Sequence, residues 1–165
     1  PELWSAVRGE GFELDVTHVC GVDESADDVR RRYKSLGITA CVENYISPLV
    51  PRLGTMDFVL TSAGAISLHE IATLGIPALV IPLKCAADDH QSENARKFIE
   101  QTDALTSSEE LWNSETLATQ IAQLWRDPER FRSISKKLAH FNPVVRGWNQ
   151  IQSSIDRLLH RSHVR

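Results

Sequence analysis

The chain has 165 residues, 42% of them hydrophobic and 24% charged, which suits one α/β domain with a sizeable core. Its formal net charge of -4 supplies no basic field for nucleic acid, and no run of about 20 apolar residues is present to cross a bilayer. Three cysteines, Cys20, Cys41 and Cys85, form an odd set without metal-ligand spacing and read as buried free thiols of a reducing compartment.

Strand and helix patterns alternate along the chain. It opens at Pro1 with a helical run, Glu2 to Val7, that has no strand before it. A first helix in a βα-alternating protein packs on a preceding strand, so the chain reads as a piece of a longer protein. Glu13 to Cys20 alternates in period two and predicts a strand; Asp23 to Leu36 predicts a charged helix stopped by Gly37. Ile38 to Val42 reads as a short strand. Ser47 to Leu53 reads as a two-turn helix with Pro48 at its first position. Met56 to Leu60 predicts a strand, Ala65 to Leu74 a helix ended by Gly75, and Ala78 to Ile81 the continuous apolar strand of a buried parallel sheet. A helix over Asp89 to Glu100 and a short edge strand over Asp103 to Leu105 follow. Three amphipathic helices close the chain: Ser114 to Trp125, capped by Ser114; Pro128 to Ala139, opened by Asp127-Pro128; and Gly147 to Leu159. Repeated strand–helix units predict a mostly parallel, Rossmann-like sheet with flanking helices.

The chemistry concentrates between residues 58 and 95. Phe58-Val59-Leu60 runs into the small-residue turn Ala63-Gly64-Ala65, where a ligand can approach the backbone. The following helix points free N–H groups at that opening, a setting that suits phosphate. Glu70 lies one and a half turns further on and can accept from a pair of neighbouring hydroxyls, as a ribose offers. A second polar loop, Lys84 to Gln91, follows the next strand. Ligands of open α/β sheets bind at the carboxyl ends of the strands, so the two loops together make a candidate site. His18, His69, His140, His160 and His163 show no ligand spacing, and Asp88-Asp89 is no Asp-x-Asp pair; no metal or cofactor is expected.

Ala63-Gly64-Ala65, Glu70, Gly75-Ile76-Pro77-Ala78-Leu79, Ala86-Ala87-Asp88-Asp89-His90-Gln91 and Asn94-Ala95 stand in an order that resembles the C-terminal domain of the MurG-type GT-B glycosyltransferases. These are the peptidoglycan N-acetylglucosaminyltransferases that convert lipid I to lipid II. The likeness covers most of the chain and is strongest from Glu43 to Asn94. It implies the UDP-GlcNAc-binding half of an inverting hexosyltransferase of cell-wall synthesis and cell division, cytoplasmic and peripheral at the inner face of the bacterial membrane. The implied partners are the UDP-GlcNAc donor and a lipid-linked acceptor held by an N-terminal domain outside this chain, with no nucleic acid.

The resemblance implies roles residue by residue. Tyr45 matches an aromatic lying against the uracil, and Ile46 a position whose backbone reads the uracil edge. Gly64, Ala65, Ile66 and Ser67 match the turn and helix start that face the diphosphate. Glu70 matches the carboxylate on the ribose hydroxyls. His90 and Gln91 match the pair near the sugar, with Gln91 the amide partner. Asp88 and Asp89 read as caps of the next helix and Asn94 as a loop support. Ser62 stands where many members carry Arg, and Cys85 where many carry His. A catalytic base is not assigned to any residue, and the family's first strand with its Gly-Gly-Ser loop is missing. Two other readings fit the motifs: the donor-binding domain of another UDP-sugar glycosyltransferase, or a non-catalytic half that works with a partner chain. A UDP-GlcNAc 2-epimerase lacks support, since no catalytic carboxylate and histidine set is evident.

Overall fold

The computed structural model describes residues 1–21, 24–83 and 90–141. The predicted helix from Gly147 to Leu159, and Cys85, Asp88 and Asp89, lie outside the described residues. In chain order the elements are α1 (Glu2–Gly9), β1 (Val16–Val19), α2 (Ala26–Ser35), β2 (Ala40–Glu43), α3 (Val50–Leu53), β3 (Val59–Thr61), α4 (Ala65–Leu74), β4 (Ala78–Val80), α5 (His90–Thr102), β5 (Leu105–Thr106), α6 (Ser114–Trp125) and α7 (Pro128–His140).

All strand pairs are parallel, as helical crossovers require. They form two sheets among the described residues, β1-β2 and β3-β4-β5. β4 is buried at every position, the pattern of a strand covered on both faces. The larger core gathers Leu68, Ile71, Leu79, Phe98, Ile121 and Leu138 around the three-stranded sheet. The smaller core packs Val29, Tyr33 and Val42 under β1-β2. Trp4 and Leu14 pack against both cores and join them.

Several elements depart from the sequence reading. The helix expected over Ser47 to Leu53 shrinks to the single turn α3, with Pro51 rather than Pro48 in its first turn. Both prolines fit the first-turn rule, and the chain enters the helix at Val50, one residue before the second. Asn113, not Ser114, caps α6: its side chain accepts from the Thr116 N–H at 2.8 Å. Either residue type can cap, and the one with extended backbone does so. Cys41 is exposed and Cys20 half-buried, so the buried-thiol expectation fails for Cys41. β2 buries only Val42, and Cys41 lies on its open face. The strand expected from Glu13 forms only at Val16–Val19, and β5 starts after Asp103, whose φ is +57°.

α4 falls on the predicted residues. Its stop is Gly75 at φ +67°, with the Gly75 and Ile76 N–H groups turned back onto the Ala72 and Ile71 carbonyls. A Cβ at Gly75 would lie 3.3 Å from the Ser135 carbonyl of α7. Gly75→Ala is therefore expected to lower unfolding free energy by about 1–2 kcal/mol, the cost of a left-handed non-glycine residue. Urea unfolding of wild type and variant measures it.

Candidate functional site

The parallel strands bring three candidate segments to strand carboxyl ends. Tyr45 and Ile46 follow β2, the Ala63–Ser67 turn follows β3, and His90–Gln91 opens α5 beyond β4. Two of the three are bonded together. The Gln91 Oε1 accepts from the Ala63 N–H at 3.2 Å and from the Leu83 N–H at 3.0 Å. One helical turn on, the Asn94 Nδ2 donates to the Ala63 carbonyl at 3.1 Å. Ala63 is fully buried, and both its backbone groups are met by α5 side chains. Asn94 thus supports the loop, as its place in the sequence suggests. Gln91 also supports the loop, so the hydrogen-bonding capacity it keeps for a ligand is its Nε2 donor.

The start of α4 has the features of an anion cradle. Among the described residues no side chain caps it, and no acidic residue lies in its first turn. Gly64 has φ -64° and ψ 130°, an ordinary extended conformation. A Cβ there would meet nothing closer than the Ser67 Oγ at 3.9 Å. Neither backbone nor packing among the described residues demands glycine there. Ile66 is 77% exposed and Tyr45 78% exposed, large apolar groups without cover. Glu70 is half-buried and makes no hydrogen bond or ion pair among the described residues. His90 is exposed at the first position of α5.

A cavity of about 980 Å³ lies beside this edge rather than at it. Of the candidate residues only Ser67 lines it.

One cluster escaped the sequence reading. His18, Cys20 and Glu24 bring ligand-type atoms within 4.8 Å of one another at the carboxyl end of β1. Their offsets follow no familiar metal spacing, and only the folded chain brings them together. The His18 Nδ1 lies 3.0 Å from the buried Tyr33 hydroxyl, and the rings meet edge to face. Burial pushes the imidazole below its ordinary pKa and raises the Cys20 thiol. Burial also pushes the Tyr33 phenol up to about 12. The His18–Tyr33 pair reads as a wall of the smaller core.

Similarity to known proteins accords with this layout. Residues 4–146 match the model of the glycosyltransferase family 28 C-terminal domain. The chain belongs to that family. Two relatives both carry the name UDP-N-acetylglucosamine--N-acetylmuramyl-(pentapeptide) pyrophosphoryl-undecaprenol N-acetylglucosamine transferase. The one from Alcanivorax borkumensis is 39% identical over 105 residues, covering 64% of this chain and 29% of that protein. The one from Granulibacter bethesdensis is 30% identical over 146 residues, covering 87% of this chain and 38% of that protein. The chain therefore spans about a third of the length of the curated relatives it matches. The crystal structure of Acinetobacter baumannii MurG superposes with a TM-score of 0.69 at 22% identity, over 82% of this chain and 39% of that one. The fold is thus the family 28 C-terminal domain of a GT-B glycosyltransferase.

The Gln91 geometry separates two roles by experiment. Gln91→Glu keeps an oxygen for the Ala63 and Leu83 N–H groups, whereas Gln91→Ala leaves both without their partner. The alanine variant is expected to lose about 1–3 kcal/mol of stability and the glutamate variant to stay close to wild type, read by urea denaturation.

His18 predicts a pH dependence. Its folded pKa lies below the unfolded one, so the unfolded chain binds the extra proton first. The stability contribution is complete above an unfolded value of about 6.5 and falls as pH drops through the folded value. Melting temperatures measured between about pH 8 and pH 5 should decline less in His18→Gln than in wild type.

Proposed function

We propose that this domain binds the UDP-GlcNAc donor of a peptidoglycan N-acetylglucosaminyltransferase, and that the full-length protein transfers GlcNAc to lipid I to make lipid II. The observation that carries the reading is the pairing of an uncapped helix start with Glu70 on the same helix, held against α5 through Ala63. The N–H groups of Ala65, Ile66 and Ser67 meet the diphosphate, and Glu70 accepts from the ribose hydroxyls. Tyr45 lies against the uracil and the Ile46 backbone reads its edge. His90 and the Gln91 Nε2 face the sugar. The names of the relatives support the donor and acceptor classes.

Catalysis then follows from charge placement. The acceptor hydroxyl attacks the anomeric carbon, the bond to the diphosphate oxygen breaks, and configuration inverts. Negative charge grows on the departing UDP, where the helix start stabilises it. The acceptor, and the base that takes its proton, belong to the part of the full-length protein outside these residues. That part also carries the contact with the inner face of the membrane. Among the described residues no helix is long and apolar enough to cross a bilayer.

Glu70→Ala in the full-length protein is expected to weaken UDP-GlcNAc binding by about 1.5–3 kcal/mol, the size of a hydrogen bond to a charged group. Calorimetric titration measures the affinity, and a melting curve checks the fold. An unchanged affinity with a lowered melting temperature would make Glu70 a structural residue and remove the central support for the reading. Titration with UDP and with other UDP-sugars separates this donor from those of related glycosyltransferases.

A further inference from the structure

β1 and β2 leave their sheet side by side. Val19 stands opposite Glu43 at the last position of the pair. Just beyond, the Cys20 N–H donates to the Glu43 carbonyl at 2.9 Å, and the Gly21 N–H donates to the Asn44 carbonyl at 3.1 Å. Backbone groups alternate sides along a regular strand, so two consecutive N–H donors aimed at one neighbour mark a turn that both chains make together. Gly21 takes that turn at φ +76°, in the left-handed region. A Cβ there would meet nothing within 4 Å, so the backbone angle alone calls for glycine. A residue with a side chain would relieve this angle by rotating the Cys20–Gly21 peptide, which carries the N–H away from Asn44.

We infer that Gly21 is a positioning residue for nucleotide recognition: through the Asn44 carbonyl it fixes the backbone from which Tyr45 and Ile46 meet the base. A peptide unit is planar, so the bond that holds the Asn44 carbonyl also sets the N–H and Cα of Tyr45. Among the described residues it is the one backbone hydrogen bond made by residues 44–46. On the outer edge of β2 the Arg30 guanidinium holds the Val42 carbonyl, two residues short of this point. The Tyr45 ring is exposed, so packing does not hold it either. A backbone that reads a base edge must keep its own donor and acceptor in hydrogen-bond geometry. Uracil presents a carbonyl acceptor where cytosine presents an amino donor, so a displaced Tyr45–Ile46 backbone loses the distinction between them as well as affinity. The inference rests on the donor reading and adds to it a residue from a different strand, acting through Asn44.

Calorimetric titration of the full-length protein with UDP and with CDP tests it, with a melting curve for each variant. In Gly21→Ala the UDP affinity should fall about tenfold, the scale set by a left-handed alanine, and the preference for UDP over CDP should shrink with it. Gly21→Asn, whose side chain tolerates the left-handed region, should keep both within about threefold of wild type. Wild-type affinity and preference in Gly21→Ala would overturn the proposal. Equal losses for UDP and CDP would also overturn it, since the glycine would then serve the fold and not base reading. A loss in Gly21→Asn as large as in Gly21→Ala would do the same, because the backbone angle would not be the cause. Wild-type protein that binds UDP and CDP equally would instead refute the base-reading role of Tyr45 and Ile46, and the inference would fall with it.

Discussion

The buried backbone of Ala63 is the constraint on which the site depends. Its N–H and carbonyl are both taken by side chains from the first turns of α5. A buried amide left without a partner costs about 1–3 kcal/mol, so the β3–α4 turn and the start of α5 must move together or not at all. Leu83, at the exit of β4, is drawn into the same clamp through Gln91. Ala63 and Gln91, 28 residues apart in sequence, are thereby held together. A site that stabilises a departing anion needs donors fixed in advance, because reorganising them would consume the stabilisation they provide.

The smaller sheet is tied to the rest by a few specific contacts. Trp4 and Leu14 touch both cores. The Arg52 Nη2 donates to the Thr17 Oγ1 at 3.1 Å, bridging α3 to β1. The Arg8 guanidinium donates to the Leu36 carbonyl at 2.7 Å and so ties α1 to the end of α2. The Arg126 guanidinium reaches Glu10 at 3.1 Å and lies over the Phe12 ring, securing α6 to the chain that enters β1. Exposed ion pairs contribute little each, so these contacts set direction more than stability. The bulk of the stabilisation lies in the larger core around β4, where Leu79, Val80, Phe98 and Ile121 are fully buried.

The parts of this fold that were legible in sequence are those where a local rule and the tertiary structure agree. α4 has a small-residue start and a glycine stop that only a left-handed residue satisfies, and its bounds were readable for that reason. β4 is a run of apolar residues that nothing but a covered strand explains. Local rules failed where two adjacent residues both satisfied them, as with Pro48 and Pro51 or Asn113 and Ser114; packing then chose. Asn94 aside, contacts between distant residues had no sequence signal. The loop-holding bonds of Gln91 depend on a polar side chain meeting two amides from separate strands. The His18–Cys20–Glu24 cluster is set by the folded chain and not by residue spacing. The split of the sheet likewise escapes any pattern within a strand, because period and composition do not report which strand lies alongside.

The geometry of α4 narrows the kind of ligand that uses the whole site. The helix start offers uncompensated N–H groups near Ala65, and Glu70 offers a carboxylate five residues on. At ~1.5 Å per residue these lie about 7.5 Å apart along the axis. A ligand meeting both must carry negative charge at one end and hydroxyl donors at the other, because a second anion beside Glu70 would be repelled. A simple phosphate satisfies only the first requirement and a free sugar only the second. The nucleoside diphosphate sugar proposed above joins the two, and the exposed ring of Tyr45 would give its base a flat partner. Charge order along one helix thus supports the proposed donor class, whereas on that proposal the identity of the sugar would rest on His90 and on the Gln91 Nε2 group, whose oxygen is committed to the Ala63 and Leu83 N–H groups.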